Sequence, residues 1–152
     1  MIKGILLEYS STLRLVTSMD LSANNLSGEI PTEITSLSGL RSLNLSINRL
    51  TGRIPGTIGN MRELESLDVS FNQLSGAIPP SISNLTFLSY LNVAYNNLTG
   101  KIPLSTQLQS FDASNFAGNN LCGPPLTDTC SINAVKPGAA NREESGDGLE
   151  VD

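Results

Sequence analysis

The pattern L-x-x-L-x-L-x-x-N-x-L-x-G-x-I-P occurs four times at a constant spacing of 24 residues, and this limits the fold more than any other feature of the chain. Val16, Met19, Leu21, Asn24, Leu26, Gly28, Ile30 and Pro31 recur as Leu40, Leu43, Leu45, Asn48, Leu50, Gly52, Ile54 and Pro55. The same positions return as Leu64, Leu67, Val69, Asn72, Leu74, Gly76, Ile78 and Pro79, then as Leu88, Leu91, Val93, Asn96, Leu98, Gly100, Ile102 and Pro103. Such a unit buries its apolar face only by stacking on copies of itself, and its period lies within the roughly 20 to 29 residues of short solenoid coils.

Each residue type in the pattern has a physical role. The L-x-x-L-x-L segment alternates as a half-buried strand does, so one short strand per coil builds a parallel sheet with its apolar side inward. Where the coil turns away from that strand, buried backbone groups need partners, and an inward Asn side chain both donates and accepts. Asn24, Asn48, Asn72 and Asn96, continued by Asn119, are therefore expected to form an interior ladder. Loss of one would cost ~1–3 kcal/mol in unpaired backbone groups. Gly28, Gly52, Gly76 and Gly100 suit a positive φ or a close approach of coils. The prolines at 31, 55, 79 and 103 lack an N–H and end the extended stretch. Apolar residues then return every three positions, as in Ile58, Met61 and Leu64, a spacing that suits a tight 3-10 turn. The fold class that follows is an α/β repeat solenoid of the leucine-rich-repeat type. It is a right-handed superhelix with a parallel sheet on the concave face and short 3-10 or irregular turns on the convex face.

The ends differ from the middle. Residues 1–15 supply the remnant of a preceding coil without a true N-terminal cap, and 16–111 hold the four full repeats. Residues 112–130 form a degenerate last coil through Phe116, Asn119, Leu121 and Gly123, ending in a cap. Cys122 and Cys130, the two cysteines of the chain, read most simply as a disulfide closing that cap in an oxidising compartment. Two unpaired thiols are the alternative. From 131 to 152 the periodicity stops and acidic residues outnumber basic ones, so an unstructured acidic tail is expected.

Composition excludes several functions. The net charge is −5 and there is no histidine, which removes Ser-His and Cys-His nucleophiles and histidine metal sites. Phosphate-binding glycine loops and kinase signatures are absent as well, so no enzyme, cofactor or metal is expected. Glu63 and Glu65 fall on the outside of a coil. Without basic patches interleaved with aromatics, nucleic-acid binding is not expected. No apolar run is long enough to cross a bilayer, and Met1 does not open a signal peptide. Even so, sequons at Asn25, Asn44, Asn84 and Asn97, together with the cysteine pair, favour a glycosylated extracellular parent.

The repeats L-S-G-E-I-P, L-T-G-R-I-P and L-S-G-A-I-P resemble the plant-specific extracellular leucine-rich repeats. The run K-G-I-L-L-E-Y-S-S-T-L-R-L-V-T-S-M-D-L-S-A-N-N-L-S-G-E-I-P looks like the segment after the non-repeat island in plant receptor-like proteins of the elicitor-receptor and disease-resistance type. The run I-P-L-S-T-Q-L-Q-S-F-D-A-S-N-F-A-G-N-N-L-C-G-P-P-L is similar to their last coil and cap. The resemblance implies a parent at the plasma membrane, facing outward, with a signal peptide, more coils and a membrane helix that this chain lacks. The chain corresponds to the membrane-proximal piece. In such proteins the coils nearest the membrane meet co-receptor or adaptor receptor kinases, while upstream coils and the island hold elicitors.

Two columns of outward residues are candidates for contact. Asp20, Asn44, Asp68 and Asn92 form one, read either as a self-satisfying polar ladder or as a ligand or metal site. Ala23, Ile47, Phe71 and Tyr95 form the other, read either as cover for the edge of the core or as a partner-binding strip. Phe71, Tyr95, Asp68, Asn92, Tyr90 and Ile47 are the expected protein-contact residues. The function implied is a non-catalytic, protein-binding ectodomain fragment. A secreted inhibitor of microbial wall hydrolases and a truncated, non-functional product are the alternatives.

Overall fold

The computed structural model describes residues 16–130 in full, and the backbone of 140–144 and 146–147. Every full coil contributes two short extended segments. They are β1 (Ser18–Asp20) and β2 (Ser27–Glu29), then β3 (Ser42–Asn44) and β4 (Arg49–Thr51), then β5 (Ser66–Asp68) and β6 (Ser75–Gly76), then β7 (Tyr90–Asn92) and β8 (Asn97–Lys101). A last strand, β9 (Asn120–Cys122), belongs to the final coil.

The concave sheet runs β1-β3-β5-β7, parallel throughout, with Met19 opposite Leu43, Leu43 opposite Leu67 and Leu67 opposite Leu91. Its register equals the repeat. Alternation places these central residues in the core and their neighbours outside. Behind them Leu45, Leu50, Leu74 and Leu98 are fully enclosed, and the core continues coil after coil to Phe116 and Leu121.

A second set of ladders, β2-β4 and β6-β8-β9, flanks the first. Here Ser27 lies opposite Arg49 and Ser75 opposite Asn97, two residues short of the repeat. At ~3.3 Å per residue this offset is about 7 Å along the strand; being even, it keeps inward side chains inward. Sequence reading expected only an extended stretch here. Ser27, Gly28 and Glu29 are all exposed, and an exposed strand leaves no alternating signal to read.

On the convex side 3-10 turns span Thr32–Ser36, Gly56–Asn60 and Pro80–Asn84, each preceded by an extended proline. The apolar triplets face inward: Ile58, Met61 and Leu64 are all buried. In the fourth coil one turn of α-helix, α1 (Thr106–Gln109), takes this place, with the Ser105 hydroxyl accepting from the Leu108 amide at 2.9 Å. Leu85 and Leu88 correspond to Leu108 and Phe111, so the residue missing from the last coil is lost between Pro103 and Leu108.

The N-terminal remnant, 1–15, lies outside the described residues, as does much of the tail. Within the tail the backbone of β10 (Ala140–Glu144) pairs antiparallel with β11 (Gly146–Asp147). Low apolar content removes side-chain burial but not the capacity of a backbone to pair with itself, and an isolated pair of this size is marginal in water.

Candidate partner-binding face

The concave face starts from how each strand ends. Asn44 Oδ1 accepts from the Ser46 amide at 3.0 Å and from its hydroxyl at 2.7 Å, and Asp68 does the same with Ser70. Asp20 does so with Ser22, while Asn92 accepts from the Ala94 amide. The first column is thus a ladder of Asx turns that bends the chain out of the sheet. The Ser22 hydroxyl and amide hold the Asp20 carboxyl below its ordinary value. Among the described residues no cluster of acidic or cysteine side chains is placed to hold a metal.

Directly after each Asx turn comes a residue in the left-handed region: Ala23, Ile47, Phe71 and Tyr95 have φ between 55° and 59°. Each donates its N–H to a carbonyl of the next coil: Ile47 to Ser70, Phe71 to Ala94 and Tyr95 to Ala117, at 2.8–3.0 Å. This geometry throws the side chain outward. Ile47, Phe71 and Tyr95 are 58, 53 and 52% exposed. The Phe71 and Tyr95 rings stack, with centroids 4.7 Å apart and planes at 20°. Tyr90, at the outer strand β7, is 41% exposed, and its hydroxyl accepts from Asn92 Nδ2 at 3.2 Å.

One residue on, the asparagines point inward. Asn48 Oδ1 accepts from the Asn24 and Leu26 amides, while its Nδ2 donates to the carbonyls of Leu21, Leu45 and Ser46, all within 3.1 Å. Asn72, Asn96 and Asn119 repeat the arrangement, each serving the coil before it. Asn24 is a correction to the interior ladder expected from sequence. It is exposed, and among the described residues its Nδ2 donates to Ser22 O.

The final coil closes both sheets. Asn115 presents its carbonyl to the Val93 amide and its Nδ2 to Leu91 O, covering the edge at β7. At the second sheet β9 pairs with β8, and Cys122 is disulfide-bonded to Cys130. The sequons divide by exposure. Asn25, Asn84 and Asn97 are exposed on the flank or convex side. Asn44 sits half-buried within the concave sheet, its oxygen engaged by buried Ser46. Sequence reading missed Gly118, which stands in the column of Tyr95; its position just before Asn119 was the available signal.

Stacked parallel strands, inward asparagines and convex 3-10 turns define a leucine-rich-repeat solenoid, and the leucine-rich-repeat family signature matches residues 14–74 and 38–98. The chain belongs to that family. More particularly, it is 76% identical over 122 residues to the receptor-like protein EIX2 of Solanum lycopersicum, a match spanning 80% of this chain and 12% of that relative. Among solved structures it is similar to a chain of the BIR3–SERK2 complex from Arabidopsis thaliana: 44% identity, TM-score 0.70, covering 76% of this chain and 61% of that one. It is also similar to a chain in the structure of the Arabidopsis receptor kinase HAESA with the peptide hormone IDA and the co-receptor SERK1: 42% identity, TM-score 0.67, covering 82% of this chain and 20% of that one. No helix among the described residues is long and apolar enough to cross a membrane.

Proposed function

We propose that the chain is a non-catalytic, protein-binding part of a plant receptor-like protein on the extracellular side of the plasma membrane. Its partner is the leucine-rich-repeat ectodomain of a co-receptor kinase of the somatic-embryogenesis-receptor type. The contact is made by Ile47, Phe71 and Tyr95 with Tyr90, Asp68 and Asn92 beside them. One observation carries this reading: three large apolar side chains stand exposed in a single column. An exposed apolar strip with a polar border is the composition of a protein interface rather than of an ordinary surface. The disulfide supports an oxidising compartment. Exposed Asn25, Asn84 and Asn97 would carry glycans without covering the concave face. Complexes with SERK proteins among the similar structures support a partner of that kind.

The test is to place Phe71→Ala and Tyr95→Ala in a complete receptor containing this block and to measure binding of a purified co-receptor ectodomain. Each should weaken binding about tenfold or more, as removal of a central aromatic anchor does. Undiminished binding with intact folding refutes the assignment.

A further inference from the structure

We infer that Gly118, in the capping coil, is a positioning residue for the apolar strip: it leaves room for the Tyr95 ring at the place where Phe71 stacks on it. The cap then completes the contact surface as well as closing the solenoid. The geometric part stands alone, and the consequence for binding rests on the docking role proposed above.

Gly118 follows Tyr95 in the left-handed column, with φ +75°, at the 23-residue spacing of the short final coil. All earlier members of the column carry a side chain. A Cβ built on Gly118 would lie 2.4 Å from Tyr95 Cδ1, 2.9 Å from Cε1 and 3.0 Å from Cα. Backbone conformation alone does not account for glycine here, because Ala23, Ile47, Phe71 and Tyr95 adopt positive φ, as asparagine does readily. Space does account for it.

The Tyr95 ring lies between two neighbours, packed against Gly118 and stacked on Phe71 at 4.7 Å, close to the short limit of ~4.5 Å for ring centroids. A side chain at 118 would therefore drive the ring off its stack. The backbone beneath cannot easily yield. Tyr95 N–H bonds to Ala117 O at 2.8 Å, and Asn119 Nδ2 bonds to that same oxygen at 3.2 Å. Asn119 Oδ1 in turn accepts from the Leu98 amide at 2.9 Å. Gly118 is itself exposed, so no demand of the core fixes its size.

The experiment compares Gly118→Asn, Tyr95→Ala and the double variant in the full 152-residue chain. Aromatic NMR would follow Phe71–Tyr95 cross-peaks, thermal melting the stability, and a purified co-receptor ectodomain the binding. Gly118→Asn should abolish the ring cross-peaks and weaken binding as far as Tyr95→Ala does, about tenfold. The double variant should bind no more weakly than Tyr95→Ala and should regain the melting temperature lost by Gly118→Asn. Persistent cross-peaks in Gly118→Asn, or no recovery in the double variant, overturn the inference. If Gly118→Asn alone does not fold, folding of the double variant supports it and failure of both overturns it. If Phe71→Ala and Tyr95→Ala leave binding unchanged while Gly118→Asn still displaces the ring, the docking role falls and the positioning role stands.

Discussion

Replacing Asn72 with alanine tests the interior ladder, and its cost can be worked out bond by bond. Asn72 Oδ1 accepts from the buried Leu50 amide at 3.0 Å, and Nδ2 donates to the carbonyls of Leu45, Val69 and Ser70 at 3.0, 3.1 and 3.2 Å. The three carbonyls each keep a second donor: Asn48 Nδ2 for Leu45, Asn96 Nδ2 for Val69 and the Ile47 amide for Ser70. Only the Leu50 N–H loses its acceptor outright. An orphaned buried amide costs ~1–3 kcal/mol and each shared bond roughly 0.5 kcal/mol, so Asn72→Ala should destabilise by ~2.5–4.5 kcal/mol. In a chain of this size that lowers the melting temperature by roughly 5–18 °C. Asn24→Ala, at the same repeat position but exposed, removes a bond to Ser22 O and should cost less than Asn72→Ala, about 1 kcal/mol or below. Urea denaturation of both variants, followed by circular dichroism, makes the comparison. Equal losses, or an Asn72→Ala loss below ~0.5 kcal/mol, would refute the coil-to-coil reasoning.

Three other outcomes are expected. A Cβ on Gly59 would stand 2.4 Å from Ser81 O, whereas one on Gly56 meets nothing within 4 Å; Gly59→Ala should destabilise by ~1–3 kcal/mol, and Gly56→Ala should be neutral or stabilising by up to ~1 kcal/mol, read from melting curves. The Asp20 carboxyl is held below its ordinary 3.8 by hydrogen bonds from Ser22, so its turn contributes above 3.8 and is lost as pH falls through the lowered folded value. An NMR titration of the Ser22 amide should therefore show its midpoint below 3.8, and a midpoint at or above 3.8 contradicts the Asx turn. Reducing Cys122–Cys130, eight residues apart, should cost at most ~2.5 kcal/mol in loop entropy, with faster amide exchange confined to β8, β9 and the residues after them.

What the sequence disclosed depends on whether burial or space enforced it. Met19, Leu43, Leu67 and Leu91 announce the concave sheet because alternation is compulsory where one side is core. Ile58, Met61 and Leu64 announce the convex turn for the same reason. The second sheet left no such trace, since β2 is exposed at all three positions and its offset of two residues is a matter of pairing register rather than of composition. Asn24 could not be separated from Asn48 by type, because the two share one repeat position and differ in exposure. The stacking of Phe71 on Tyr95, and the role of Gly118 beneath it, depend on how side chains leave a left-handed backbone, which a β-branched residue such as Ile47 gives no reason to expect.

That backbone feature bears on function in a way exposure alone does not. The left-handed residue directly precedes each inward asparagine, so the turn demands positive φ whatever side chain sits there. A residue other than glycine pays for it with about 1–2 kcal/mol. Asparagine or glycine would be cheapest, yet the column carries Ile47, Phe71 and Tyr95, more than half exposed, and turns to glycine only at 118, where space requires it. Stacking of Phe71 on Tyr95 returns roughly 0.5–1.5 kcal/mol for two of the three residues. Ile47 takes part in no ring stacking and, at 58% exposure, recovers little by burial. Folding of the isolated coil thus gives little reason for apolar bulk at Ile47. A partner covering all three side chains, as proposed, would supply one.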